Sequence, residues 1–156
     1  MSANPPLDGG SRPSTAPAPK RVLIVDDDAP VREAIGDLLQ LVGYEVFQSG
    51  DGQEALAKFD ANQLDLVLLD LGLPNKSGWD AFEGFTARNP ALPIIVITGL
   101  ARQSEMAQAA GVGALMEKPL DAAQLLQTMQ ELLSEPVEAR LRRLCGYGQD
   151  RQHASR

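Results

Sequence analysis

The sequence predicts an α/β fold built on a parallel sheet, with strands and helices in strict alternation. Three observations carry that prediction. Five short, largely apolar runs, at 21–26, 44–48, 64–70, 93–98 and 113–116, have the length of strands. Near-continuous apolar runs suit strands buried on both faces, as in parallel sheets covered by helices. Helix-like stretches alternate with them, at 30–42, 51–61, 77–89, 101–110 and 121–134. Finally, the runs Val22–Val25 and Leu64–Leu69 both end in aspartate: Asp26, Asp27 and Asp28 after the first, Asp70 after the second. Carboxylates at the C-terminal ends of parallel strands stand where open α/β sheets bind ligands.

Taken in order, residues 1–19 are rich in Pro, Ser, Gly and Ala and contain one leucine. Such a segment buries too little surface to offset its ordering entropy and is read as a disordered arm. The first strand candidate opens at Arg21. Asp28 has the character of a turn former or helix cap, and Pro30 suits a first helical turn, where its missing N–H would be unpaired anyway. Gly43 terminates the first helix. Asp51 caps the second, with Glu54 at capping-box spacing. Asp121 caps the last helix, whose Leu125, Leu126, Met129, Leu132 and Leu133 form one apolar face, and Pro136 ends it.

This alternation argues for right-handed crossovers around one parallel sheet. Five strands and five helices within 20–134 have the size of a flavodoxin-like (βα)5 fold, a three-layer sandwich. The strand order 2-1-3-4-5 comes from analogy with that fold, not from periodicity. In that order strands 1 and 3 are neighbours, and Asp26, Asp27 and Asp70 converge. Like charges gathered in one crevice repel unless a cation joins them. A hard divalent ion of the Mg²⁺ type suits oxygen ligands best.

The bulk composition narrows the function classes. The chain has 156 residues and a net charge of −7, but 22–134 carries 17 acids against six bases. So acidic a domain is a poor nonspecific nucleic-acid binder, which depends on neutralising phosphates. The single cysteine, Cys145, excludes an internal disulfide framework and fits a reducing compartment. No apolar stretch is long enough to span a membrane, and the N-terminus lacks a signal-peptide core. A cytoplasmic protein is the expectation. His153, the one histidine, lies in a polar tail and receives no role.

Four motifs in this order, VLIVDDD, LDLVLLDLGLP, PIIVITG and ALMEKPL, resemble the receiver domain of two-component response regulators. The match runs from about Lys20 to Ser134. The resemblance implies that Asp70 is the phosphoacceptor, forming an acyl phosphate by in-line attack on a phosphodonor. It implies that Asp26 and Asp27 bind Mg²⁺, with Asp70 and the backbone carbonyl of Gly72 adding oxygen ligands. Lys118, ending the fifth strand, would supply a second cation to the phosphoryl oxygens, and Thr98, ending the fourth, would donate its hydroxyl. A cis Lys118–Pro119 bond is implied as well. A sensor histidine kinase or a histidine phosphotransfer protein would be the donor, and a downstream protein the target. Direct DNA binding and membrane association are not expected, and phosphorylation can drive oligomerisation in such a family.

The chain departs from the family pattern in places. Leu115 stands where many receivers carry an aromatic residue that swings inward when the threonine moves, and a leucine cannot make that ring rearrangement. The segment from Thr98 to Lys118 is a little shorter than usual, which implies a modified output face. Gly72 and Leu100 occupy positions that flank the phosphoryl group, and neither side chain can orient an attacking water. Slow self-dephosphorylation is therefore expected.

From Glu135 onward 22 residues remain, too few for a helix-turn-helix output module. Val137, Leu141 and Leu144 share a helical face there, beside Arg140, Arg142 and Arg143. This is read as a basic tail or short docking helix, so a stand-alone receiver is expected, acting on a partner or relaying its phosphate. Two other classes share parts of this pattern. One is a Mg²⁺-dependent phosphohydrolase with Asp26 as nucleophile, suggested by a D-x-D pattern but opposed by Pro30. The other is a pseudo-receiver that binds partners without turning over phosphate.

Overall fold

Strands β1 (Arg21–Val25), β2 (Glu45–Ser49), β3 (Leu66–Asp70), β4 (Ile94–Thr98) and β5 (Ala114–Glu117) form one sheet in the order β2-β1-β3-β4-β5. Every neighbouring pair is parallel. The structure, a computed structural model, describes residues 18–72, 78–99 and 113–136, with 138, 139 and 142. The helices α1 (Ala29–Leu41), α2 (Gly52–Ala61), α3 (Gly78–Arg88) and α4 (Ala122–Ser134) fall within them. The helix expected at 101–110 lies outside the described residues, as do residues 1–17 of the arm, most of the tail and Leu100.

Local chemistry sets the boundaries. Asp28 caps α1, its carboxylate accepting from the Val31 N–H, and proline follows at the helix start. The first helix stops where Gly43 takes φ +105°, a left-handed conformation that costs glycine nothing. Asp51 and Asp121 cap α2 and α4 through the Glu54 and Gln124 N–H groups. The capping box at α2 is displaced by one residue. Glu54 Oε1 accepts from the Gly50 N–H, while the Asp51 N–H turns to Ser49 Oγ at 3.4 Å. The Gly50 N–H first, then the Lys58 charge and the Ser49 hydroxyl, hold the Glu54 carboxyl below its usual range against a burial cost.

Strand alternation divides the core into two layers. Leu23, Val25, Val67, Leu69, Ile94 and Val96 face α2 and α3, meeting Ala55, Phe82 and Phe85. Val22, Ile24, Leu66, Leu68, Ile95 and Ile97 face α1 and α4, meeting Ile35, Leu39, Leu125, Met129 and Leu132. β3 and β4 are fully buried along their lengths, as their unbroken apolar sequences require. Leu126 and Leu133 are partly buried against the second layer, in keeping with the predicted apolar face of α4. Among the described residues no helix is long and apolar enough to cross a membrane.

Candidate functional site

Strand register creates the site. Val25 pairs with Leu69, so the next residues, Asp26 and Asp70, leave neighbouring strands side by side. Both continue the alternation of the layer packed on α1 and α4, so both side chains start from the same side of the sheet. Asp26 is 2% exposed and Asp70 5%, whereas Asp27 is exposed. One carboxylate oxygen from each of the three lies within 4.8 Å of the others.

The same local device aims both buried carboxylates. Asp26 Oδ1 accepts from the N–H of Asp28, and Asp70 Oδ1 accepts from the N–H of Gly72, each bond 2.9 Å and two residues onward. These Asx-type turns tie down one oxygen of each side chain. The other oxygens face Lys118, whose Nζ lies 3.0 Å from Asp70 Oδ2 and 3.8 Å from Asp26 Oδ2. Lys118 follows β5 directly, its backbone N–H donating to the carbonyl of Thr98 at 3.1 Å, and the Lys118–Pro119 bond is cis.

Burial is the main reason the Asp26 carboxyl is pushed up from its ordinary value. The Asp28 N–H and Lys118 pull it down, and the Asp70 charge pushes it further up. Partial burial works against the Lys118 ammonium. Its hydrogen bond to Asp70 and the charges of Asp70, Asp26 and Asp27 together outweigh that, holding it above the usual lysine range. Among the described residues, two buried carboxylates and an exposed one thus share the Lys118 ammonium, and this cluster keeps a negative surplus.

Thr98 ends β4 at 1% exposure. Leu115 pairs with Val96 and is partly buried against the α2–α3 layer. Gly72 is exposed, and its described contact with the site is through the N–H rather than the carbonyl. The donor set suits a hard divalent cation. Mg²⁺ at about 2.1 Å from each oxygen spreads its ligands over at most about 4.2 Å, close to the span found here.

Two residues of the surroundings were not legible in the sequence. Arg32, on α1, donates from Nη1 to the backbone carbonyl of Asp26 at 2.6 Å and from Nε to Gln48 Oε1 at 3.2 Å. Nothing in their spacing marks them, because the contact depends on where the β1–β2 ladder stops.

The family model described as the response regulator receiver domain matches residues 22–130. The chain belongs to this family of two-component signalling domains. Among curated relatives, the transcriptional regulatory protein PdtaR of Mycobacterium tuberculosis is 32% identical over 131 residues, covering 82% of this chain and 63% of that protein. The sensory transduction protein RegX3 of Mycolicibacterium smegmatis is 38% identical over 116 residues, 72% of this chain and 50% of that one. The chain thus spans between half and two-thirds of these relatives' length.

Solved structures agree on the fold. A CheY-like receiver domain from Methanospirillum hungatei JF-1 superposes with a TM-score of 0.70 at 33% identity, covering 74% of this chain and 94% of that one. The response regulator TrrA of Thermotoga maritima, in complex with Mg²⁺ and BeF, gives 0.67 at 29% identity, covering 72% and 98%.

Proposed function

We propose that Asp70 accepts a phosphoryl group in a Mg²⁺-dependent reaction, making this chain the phosphoacceptor of a two-component or phosphorelay system. The observation that carries the reading is the shared environment of Asp70: Lys118 Nζ at 3.0 Å, with carboxylate oxygens of Asp26 and Asp27 within 4.8 Å. A carboxylate attacking a phosphoryl group brings two anions together, so positioning and charge neutralisation are most of the catalysis required. Mg²⁺, bound by Asp26, Asp27, Asp70 and the Gly72 carbonyl, supplies the neutralising charge.

The chain's own residues do the rest. A carboxylate oxygen of Asp70 attacks phosphorus in line, forming a P–O bond as the bond to the donor's leaving group breaks. With a phosphohistidine donor the P–N bond breaks and the imidazole leaves with its electron pair and takes up a proton. Lys118 passes from the carboxylate to a phosphoryl oxygen as a point charge. Thr98 Oγ1 donates to another, and the rearrangement spreads to β5 at Leu115. The last step is a two-state shift biased by the new oxygens.

The partners are a sensor histidine kinase or histidine phosphotransfer protein upstream and a protein target downstream, met by the receiver unit 20–134 with 135–156 as a tail. The curated relatives include a transcriptional regulator, whose whole-protein activity stays with that protein. The chain transforms no separate substrate and catalyses only its own phosphorylation and slow dephosphorylation.

The test is intact-mass measurement after incubation with Mg²⁺ and acetyl phosphate. One added phosphoryl group in the wild type, absent from Asp70→Asn, is the expected result. No adduct, together with no binding of beryllofluoride, refutes the proposal in favour of a binding module. Phosphate release that survives loss of Asp70 but not of Asp26 refutes it in favour of a hydrolase.

A further inference from the structure

We infer that Arg32, anchored by Gln48, is a positioning residue for the metal-side carboxylates and sets the Mg²⁺ affinity of the site through the Asp26 backbone. This rests on the Mg²⁺ reading above and extends it to residues that touch no ligand.

The argument begins with the ladder. In a parallel pair, a residue on one strand bonds with the residues before and after its partner on the other. Val25 pairs with Ser49, which sets Asp26 opposite Gly50. The Asp26 N–H duly donates to the Ser49 carbonyl at 3.1 Å. The matching bond, from the Asp51 N–H to the Asp26 carbonyl, is replaced, because Asp51 has left the strand to cap α2 and its N–H turns to Ser49 Oγ. Arg32 Nη1 fills the place of the missing strand donor at 2.6 Å. A guanidinium donor makes a charge-assisted bond, stronger than the amide bond it substitutes.

That carbonyl belongs to the peptide joining Asp26 to Asp27. Its plane fixes where the Asp27 carboxylate emerges relative to that of Asp26. The guanidinium is itself held by its second bond, Nε to Gln48 Oε1, and the backbone carbonyl of Gln48 accepts in turn from Lys58 Nζ. Partners of this kind, orienting ligands from behind, govern metal affinity in other sites by about 10–100-fold.

Calorimetric titration of the metal-free full chain with MgCl₂, well below its melting temperature, tests this. Arg32→Ala is expected to weaken Mg²⁺ binding about tenfold. Arg32→Lys keeps one charged donor but cannot bridge to Gln48, so it falls between. Gln48→Ala loses only the anchor and weakens binding about threefold, a fraction of that loss. A merely structural Arg32 would lower the metal-free melting temperature and leave the affinity of the folded protein alone. Wild-type affinity in folded Arg32→Ala therefore overturns the inference. Should that variant fail to fold, wild-type affinity in Gln48→Ala overturns it instead. Absence of Mg²⁺ binding by the wild type would overturn the site reading itself, and this inference with it.

Discussion

Replacing Asp26 by asparagine should stabilise the metal-free protein and abolish its response to Mg²⁺. Asparagine keeps an oxygen for the Asp28 N–H and nearly the same volume, so the change is mainly electrostatic. Two unit charges 4.8 Å apart, the outer limit for Asp26 and Asp70, repel by about 3.5 kcal/mol at an effective dielectric of 20. Lys118 at 3.8 Å returns about 4 kcal/mol at the same dielectric, but its side chain is 38% exposed, and solvent screening halves this to about 2. The net repulsion is about 1.5 kcal/mol, before the burial cost of a carboxylate 2% exposed. Weakening the charge-assisted bond to Asp28 offsets part of that. Asp26→Asn should therefore gain about 1–2 kcal/mol in EDTA, a melting increase of about 5–10 °C for a domain this size. With Mg²⁺ at 100 times its dissociation constant, the wild type gains about 2.7 kcal/mol by linkage. The variant gains little, so the ranking reverses. Thermal melts of both proteins with and without Mg²⁺ supply the comparison. An Asp26→Asn protein less stable than wild type in EDTA, or stabilised equally by Mg²⁺, would refute the reasoning.

The same pair of proteins carries a pH signature. A carboxyl whose folded-state pKa is raised binds more protons in the native state, so its burial costs stability increasingly as pH rises from its ordinary value of 3.8 through the raised folded value. The metal-free stability gap between Asp26→Asn and wild type should thus narrow as pH is lowered from 7 toward 4, in urea titrations; a gap that widens contradicts the assignment. On the proposed mechanism, Lys118→Met should slow phosphorylation by acetyl phosphate by about 10²–10³, the loss expected for one preorganised charge stabiliser, measured by timed intact mass. Gly78→Ala should destabilise by about 3 kcal/mol in urea unfolding. Its Cβ would overlap the Leu71 Cα, a backbone atom that cannot rotate away. Phe85→Ala should cost about 3–5 kcal/mol in the same assay, because Phe85 is fully buried and packs against Phe59 with ring centroids 5.2 Å apart and planes tilted by 31°.

Much of the architecture was legible because each local choice agreed with the global fold. The unbroken apolar sequences of β3 and β4 required burial on both faces, and Asp28, Asp51 and Asp121 announced three helix starts. The acidic residues were visible at strand ends, but their convergence depended on strand order and register, which periodicity does not encode. The Oδ1 ties to Asp28 and Gly72 were implicit in the turn chemistry of aspartate, although which oxygen is tied emerges only in three dimensions. Arg32 and Gln48 were illegible for a deeper reason. Their contact exists because α2 takes the Asp51 N–H away from the ladder, an outcome of two elements competing for one donor.

That competition explains how a site with a negative surplus is kept ready. Of the oxygens on the two buried carboxylates, one of each is fixed by backbone N–H groups, which lose nothing when a cation arrives. The other two are steadied by Lys118, which sits 3.0 Å from Asp70 yet remains 38% exposed. A fully buried lysine would bind the carboxylates more tightly and release Asp70 more slowly. Partial exposure weakens the ion pair through screening and leaves the ammonium a path outward. On the proposed mechanism the resting contact that stabilises Asp70 must be broken for Lys118 to reach a phosphoryl oxygen. Stability of the unmodified state and speed of modification are therefore set against each other at one nitrogen. The fixed part of the electrostatics is assigned to the backbone and to Arg32 behind Asp26, and the part that must move is assigned to the partly exposed ammonium of Lys118.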